Sequence, residues 1–92
     1  MNDPAARVRV TVHGRVQGVG FRYSCAAMAE SSGLAGWVRN RPDGTVEAVF
    51  EGTRDEVDAA VEWCGRGPSY ASVSSLDVAA ERPEGLAGFR IR

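Results

Sequence analysis

Lysine is absent from this chain of 92 residues, and all eleven of its basic residues are arginine. This absence excludes Schiff-base chemistry and the lysine-containing phosphate loop of P-loop proteins. An excess of charge of either sign is lacking too, since twelve acidic residues nearly cancel the eleven arginines. We therefore expect no broad electrostatic surface for nucleic acid or for an anionic membrane.

Histidine and cysteine are scarce as well. His13 is the single histidine, and the two cysteines, Cys25 and Cys64, form no C-x-x-C pair. A structural zinc site or a metallochaperone role is therefore not expected. We interpret the cysteines as small core residues of a protein in a reducing compartment, with a disulfide between them as the alternative.

A long apolar run is also missing. No segment approaches the ~20 apolar residues that cross a bilayer, and the first four residues lack the pattern of a signal peptide. We therefore expect a cytoplasmic protein without a membrane partner. The length suits one small domain, predicted to span residues 7–92 after a flexible tail at residues 1–6.

Periodic apolar residues predict the element order β-α-β-β-α-β. The first helix carries apolar side chains at helical spacing from Phe21 and ends near Gly33, and the second begins at a capping box over residues 53–56. The predicted strands span residues 7–13, 36–42, 45–51 and 74–81, and residues 89–92 are a candidate for a short fifth. This order predicts an α+β fold, the ferredoxin-like split βαβ sandwich, with two helices on one face of an antiparallel sheet. The other face is expected to contact water.

The loop between the first strand and the first helix is the most informative segment. Gly14, Gly18 and Gly20 allow backbone angles that a Cβ atom would penalise. Such a loop can turn successive N–H groups inward as a nest for an anion, and the helix that follows adds unpaired donors. Arg22 adds a planar, permanent cation. The loop matches neither the P-loop nor the dinucleotide pattern, so its composition alone leaves a plain connector open.

The predicted topology brings a second polar residue to this loop. Strands one and two run parallel with strand three between them, so their carboxyl ends lie at the same edge of the sheet. The loop leaves strand one at this edge, and Asn40 lies towards the end of strand two. Two strand spacings are roughly 10 Å, which the side chains of Arg22 and Asn40 can span around a small ligand. A solvent-facing asparagine is the simpler alternative for Asn40.

Three motifs resemble those of the acylphosphatase family. The segment 14–22 is similar to the family's G-x-V-Q-G-V-x-F-R, and residues 36–52 are similar to its G-W-V-x-N-x-x-x-G-x-V signature with a later glycine. Residues 67–73 match G-P-x-x-A-x-V more weakly. The similarity covers about residues 7 to 92. It implies the ferredoxin-like fold and metal-independent hydrolysis of acyl phosphates, such as acetyl, carbamoyl or glyceroyl phosphate.

The resemblance also implies roles for individual residues. Arg22 corresponds to the family's phosphate-binding arginine, and Asn40 to the asparagine that positions the attacking water. Together with Arg22, the main-chain N–H groups of the loop are expected to bind the phosphoryl oxygens; the loop residues are Arg15, Val16, Gln17, Gly18, Val19 and Gly20. The implied ligands are a small acyl phosphate and, as product mimics, inorganic phosphate or sulfate. No cofactor or metal is expected, and we expect a monomer.

The chemistry fits a chain that is poor in catalytic groups. It has no plausible Ser-His-Asp set and no carboxylate cluster for magnesium. An acyl phosphate expels a carboxylate whose conjugate acid has a pKa of about 4, so it can leave without a proton. The main alternative is a non-catalytic accessory module that binds phosphate or carbamoyl phosphate on the same fold. RNA binding is disfavoured because the outer positions of the central strands carry no aromatic residue.

Overall fold

Alternating apolar side chains build a five-stranded sheet, and two amphipathic segments build the helices that cover it. The structure is a computed structural model that describes residues 5–92. Its elements are β1 (Ala5–Arg15), α1 (Phe21–Ser31), β2 (Ala35–Asn40), β3 (Val46–Thr53), α2 (Arg54–Arg66), β4 (Ser72–Glu81) and β5 (Phe89–Ile91). The predicted element order is confirmed.

The amino terminus of β1 extends further than predicted. Ala5 and Ala6 belong to the strand, because they continue its pairing with Thr53 and Gly52 of β3. The last two residues of the predicted tail are therefore part of the sheet. The rest of that tail, residues 1–4, lies outside the described residues.

The strands lie in the order β4-β1-β3-β2-β5. The pairs β1–β3, β1–β4 and β2–β3 are antiparallel, as predicted. The sheet is mixed rather than wholly antiparallel, because the short β5 pairs parallel to β2. The strands β4 and β5 lie at opposite edges of the sheet, and residues 82–88 connect them. After this crossing the chain runs in the same direction as β2.

Both helices pack on one face of the sheet, and the core lies between them and the strands. The inner positions of β1 and β3 meet the buried stripes of α1 and α2 there. A fully buried valine or phenylalanine contributes roughly 1.5–3 kcal/mol to folding, so this layer dominates the stability. The predicted capping box of α2 is present, with Thr53 Oγ1 accepting from the Glu56 N–H at 3.2 Å.

The opposite face, called the rear face here, carries a ladder of arginine and glutamate side chains. Arg9 donates to Glu47 at 2.7 Å and to Glu81 at 2.6 Å, and Arg7 donates to Glu81 at 2.8 Å. The expectation that this face contacts water is wrong for its centre, since Arg7 and Glu47 are 5% and 4% exposed. Alternating opposite charges on neighbouring strands pair with each other and exclude solvent.

Glu51 is a second buried acid of the rear face, 7% exposed. Its carboxylate accepts from three successive main-chain N–H groups, those of residues 84, 85 and 86, at 2.9, 2.7 and 3.0 Å. Burial opposes its ionisation, but these donors and Arg7 outweigh burial, so the pKa of Glu51 is lowered. Glu51 therefore fastens the loop before β5 to the sheet.

We expect Glu51→Gln to destabilise the fold in a pH-dependent manner. A carboxyl with a lowered folded pKa contributes stability above its unfolded pKa of about 4.3, and this contribution is lost as the pH falls through the folded value. The free energy of unfolding should drop by about 1–3 kcal/mol at pH 7, and the difference from wild type should shrink below pH 4. Thermal unfolding from pH 3 to 7 measures this, with the exposed Glu62→Gln as control. A difference that stays constant over this range would contradict the explanation.

Candidate active site

Glycine determines the path of the loop between β1 and α1. Gly18 and Gly20 have φ values of 76° and 77°, in the left-handed region that side chains with a Cβ disfavour. Gly20 is also the N-cap of α1 and supplies no side chain to the helix end. The first turn of α1 has no acidic residue either, so its unpaired N–H groups stay available to an external anion.

Gly14 has a different purpose, at the start of the same loop. A Cβ atom at this position would lie 2.2 Å from the main-chain oxygen of Ser72. The register between β1 and β4 shifts between His13 and Gly14, as in a β-bulge. The glycine lets the two strands approach closely while β1 bends towards the loop.

The main-chain N–H groups of residues 16–20 indicate that the loop can bind an anion. Within residues 5–92, none of these five groups donates a hydrogen bond to a main-chain or side-chain acceptor. Consecutive free N–H groups in a glycine-rich turn form a nest that suits an anion. The nest is continuous with the start of α1, whose dipole favours negative charge at the same place.

A pocket of about 180 Å³ opens beside the nest. Its lining comes from the loop, from the first turn of α1 and from the end of β2: Val16, Gly18, Gly20, Phe21, Arg22, Tyr23 and Asn40. A water molecule needs ~10–15 Å³ of such space, so the pocket has room for a small oxyanion together with water. The structure therefore brings Arg22 of α1 and Asn40 of β2, predicted on different elements, to one pocket.

The other predicted residues of the loop do not line the pocket with their side chains. Arg15 is exposed at the end of β1, opposite Ser72 of β4. Val19 is half-buried and packs against the core. These residues are available to a ligand only through their main chain.

Arg22 is held by the residue that follows β5. Its Nη1 donates to the main-chain oxygen of Arg92 at 3.3 Å, and the N–H of Arg92 in turn donates to the oxygen of Val38 at 2.8 Å. In the part of the chain that the structure describes, Arg22 forms no ion pair with an Asp or Glu side chain.

Gln17 fixes the loop to the hairpin that follows Asn40, a partner that the sequence did not identify. Its Nε2 donates to the main-chain oxygens of Arg41 and Thr45 at 2.7 and 2.9 Å. Thr45 is itself held by Asp43, which accepts from its hydroxyl at 2.6 Å and from its N–H at 3.0 Å. These contacts lower the pKa of Asp43, and the hydrogen bond from the Thr45 hydroxyl has the largest effect.

We expect Gln17→Met, which keeps the length of the side chain but removes its donors, to loosen the loop against the hairpin. Two lost hydrogen bonds should lower the free energy of unfolding by about 1–2 kcal/mol. A displacement of 1 Å in an active site can cost a factor of about 100 in rate. Turnover should therefore fall even where the variant is fully folded, so the loss of stability alone does not explain the decrease. Steady-state rates of the fully folded variant, checked by circular dichroism, measure this. An unchanged rate would show that Gln17 does not position the loop.

Tyr23 is the lining residue that no motif indicated. It is 70% exposed and stands at the rim of the pocket, one residue after Arg22. An exposed aromatic ring at a pocket rim offers an apolar surface to a bound organic group. Only its position directly after Arg22 could have suggested its place.

The described residues offer no candidate metal centre. Among residues 5–92, no three His, Cys, Asp or Glu side chains are grouped to hold a metal ion. His13 lies outside the pocket, with its Nε2 2.7 Å from a carboxylate oxygen of Asp77. Cys25 and Cys64 are free thiols buried in the core, where contact with Cys64 and burial raise the pKa of Cys25. No helix in this part of the chain is long and apolar enough to cross a membrane.

Comparison with known proteins points to one family. The family model described as Acylphosphatase matches residues 8–91. An acylphosphatase of Trichormus variabilis is 59% identical over 94% of this chain and 85% of its own length. One of Thermococcus kodakarensis is 51% identical over 92% of this chain and 93% of its own length. The structure of an acylphosphatase from Coxiella burnetii superposes with a TM-score of 0.91, at 41% identity over 96% of this chain and 93% of that one.

Proposed function

We propose a mechanism for this chain from the premise that it belongs to the acylphosphatase family. The chain is an acylphosphatase, an enzyme whose substrate is a small acyl phosphate. The non-catalytic accessory module considered above is not favoured, because relatives that match over nearly the whole chain are acylphosphatases. The roles of the individual residues are the proposal.

The phosphoryl group is bound by the loop and by Arg22. The free N–H groups of residues 16–20 and the uncapped start of α1 supply donors to its oxygens. The guanidinium of Arg22 supplies charge-assisted donors beside them. These groups are held in place before the reaction begins, so they can stabilise charge on the phosphoryl oxygens in the transition state without reorganising.

The leaving group needs no help from the protein. When the bond between phosphorus and the acyl oxygen breaks, the bonding electrons stay on a carboxylate whose conjugate acid has a pKa of about 4. This anion is stable in water at neutral pH. A pocket without an acid or a metal ligand is therefore sufficient for this substrate class.

The attacking water is positioned by Asn40. Its carboxamide oxygen accepts a hydrogen bond from the water and orients it towards phosphorus, a contribution of proximity and orientation. Among residues 5–92, no carboxylate and no imidazole lines the pocket. The proton that the water loses is therefore assigned to a phosphoryl oxygen of the substrate, and the products are a carboxylate and inorganic phosphate.

The acyl group lies towards the rim of the pocket, beside Tyr23. We also propose that the protein acts as a monomer in the cytoplasm, in keeping with its two free thiols. Inorganic phosphate and sulfate are expected to occupy the pocket as mimics of the product.

The observation that carries the proposal is the meeting of Arg22, Asn40 and the unpaired loop amides in one pocket. The test is the hydrolysis of acetyl phosphate and benzoyl phosphate after exhaustive treatment with a chelator. We expect turnover to be unchanged by the chelator and by added magnesium. A loss of turnover that magnesium restores would contradict the metal-independent mechanism. Phosphate binding without any turnover would favour the accessory module instead.

A further inference from the structure

We propose that a second pocket, on the rear face of the sheet, is a binding site for a small dianion and is coupled to the active site through Arg92. This rear pocket has a volume of about 200 Å³. Its lining comes from β2, from β5 and from the loop between β4 and β5: Gly36, Trp37, Leu86, Ala87, Gly88, Arg90 and Arg92. The mechanism proposed above uses none of these side chains.

The rear pocket is separate from the active-site pocket. Trp37 lies in register with Arg90 of β5, and both alternate with Val38, which is buried in the core beneath the helices. Trp37 and Arg90 therefore face the rear, whereas Asn40 lies on the same side as Val38. The two pockets have no lining residue in common.

The rear pocket is lined by two arginines that pair with no acidic side chain of the described residues. The neighbouring Arg9 and Arg39 both bind the carboxylate of Glu47, at 2.7 and 2.6 Å. By contrast, Arg90 and Arg92 form no ion pair with an Asp or Glu side chain in the described part of the chain. Two such guanidinium groups beside one pocket attract a doubly charged anion.

Trp37 orients one of these two groups. The Cζ atom of Arg92 lies 4.4 Å from the centroid of the indole ring, a cation–π contact. A guanidinium that stacks on a ring by its face keeps the N–H groups at its edge free to donate. Stacking therefore reduces the freedom that Arg92 would lose when an anion binds.

Arg92 connects the rear pocket to the active site through its main chain. Its oxygen accepts from Nη1 of Arg22 at 3.3 Å, and its N–H donates to the oxygen of Val38. An anion that binds the Arg92 side chain therefore restrains the main-chain oxygen of Arg92, to which Arg22 donates its hydrogen bond. Any such coupling is reciprocal, so a ligand in the active site changes the affinity of the rear pocket by the same factor.

The chemical class of the ligand follows from the size and charge of the rear pocket. Two guanidinium groups match a tetrahedral oxyanion such as inorganic phosphate, which also is the product of the reaction. The binding claim stands independently of the catalytic roles proposed above, whereas the coupling rests on the proposed role of Arg22.

Calorimetric titration with inorganic phosphate tests the binding claim. We expect the wild-type chain to bind two phosphates, and the folded Arg90→Gln variant to bind one. Arg22→Ala should retain the rear phosphate, and the indole N–H resonance of Trp37 should shift when phosphate is added to that variant. Arg54→Gln, an exposed arginine at the start of α2, removes the same charge elsewhere and should still bind two.

A wild-type chain that binds one phosphate, which Arg22→Ala abolishes, would overturn the rear site. So would an Arg90→Gln variant that still binds two. A single phosphate that survives in Arg22→Ala and is lost in Arg90→Gln would support the rear site and contradict the proposed active site. Product inhibition tests the coupling: phosphate should lower kcat in the wild type and act purely competitively in Arg90→Gln. Purely competitive inhibition of the wild type would overturn the coupling.

Discussion

Replacement of Arg22 by alanine is expected to remove both phosphate affinity and turnover. The variant loses a charge-assisted set of donors and the positive charge beside the loop, while the main-chain N–H groups remain. Loss of one preorganised donor alone commonly costs a factor of about 10²–10³ in kcat, so kcat/KM should fall by at least about 10³. Steady-state hydrolysis of benzoyl phosphate and a phosphate titration measure the two effects.

Arg15→Ala is the matched control for this result. Arg15 belongs to the same loop, but its exposed side chain does not line the pocket. We expect its removal to leave turnover close to that of the wild type. If both variants lost activity equally, general positive charge around the loop would explain the effect. If Arg22→Ala kept wild-type kinetics, the proposed role of Arg22 would be wrong.

Replacement of Asn40 by alanine should separate binding from chemistry. The carboxamide is assigned to the water and not to the phosphoryl group, so inorganic phosphate should bind with unchanged affinity. Because misplacement of a reacting group by 1 Å can cost a factor of about 100, kcat should fall by about 10²–10³ with little change in substrate affinity. Rates at saturating substrate and calorimetry with phosphate measure the two quantities.

Asn40→Asp sharpens the distinction, since it keeps the shape of the side chain and adds a negative charge. This charge would repel the phosphoryl group, so the variant should lose phosphate affinity as well as turnover. A loss of phosphate affinity in Asn40→Ala itself would place Asn40 in contact with the phosphoryl group and contradict its assignment to water.

Much of this site follows from the sequence, because its main features are local or topological. The positions of Gly18 and Gly20 predict a loop that only a residue without a Cβ can follow easily, and both have positive φ values. The order of elements determines that the ends of β1 and β2 share an edge of the sheet. The sequence alone therefore predicts that Arg22 and Asn40 lie close together.

Other features depend on contacts between distant segments, which no periodicity predicts. The side chain of Gln17 binds two main-chain oxygens of one hairpin, 24 and 28 residues away along the chain. Glu51 binds the main chain of residues 84–86, which has no side-chain pattern to indicate it. The rear face alternates between basic and acidic residues, a pattern that predicts contact with water. Its centre is buried because these opposite charges pair across neighbouring strands.

A crystal structure of the protein soaked in inorganic phosphate tests the central claim most directly. The account predicts a phosphate in the pocket between Arg22 and Asn40, with N–H groups of residues 16–20 at about 2.7–3.2 Å from its oxygens and the guanidinium of Arg22 beside them. An active-site pocket that stays empty at saturating phosphate, with those N–H groups turned away from it, would contradict the account.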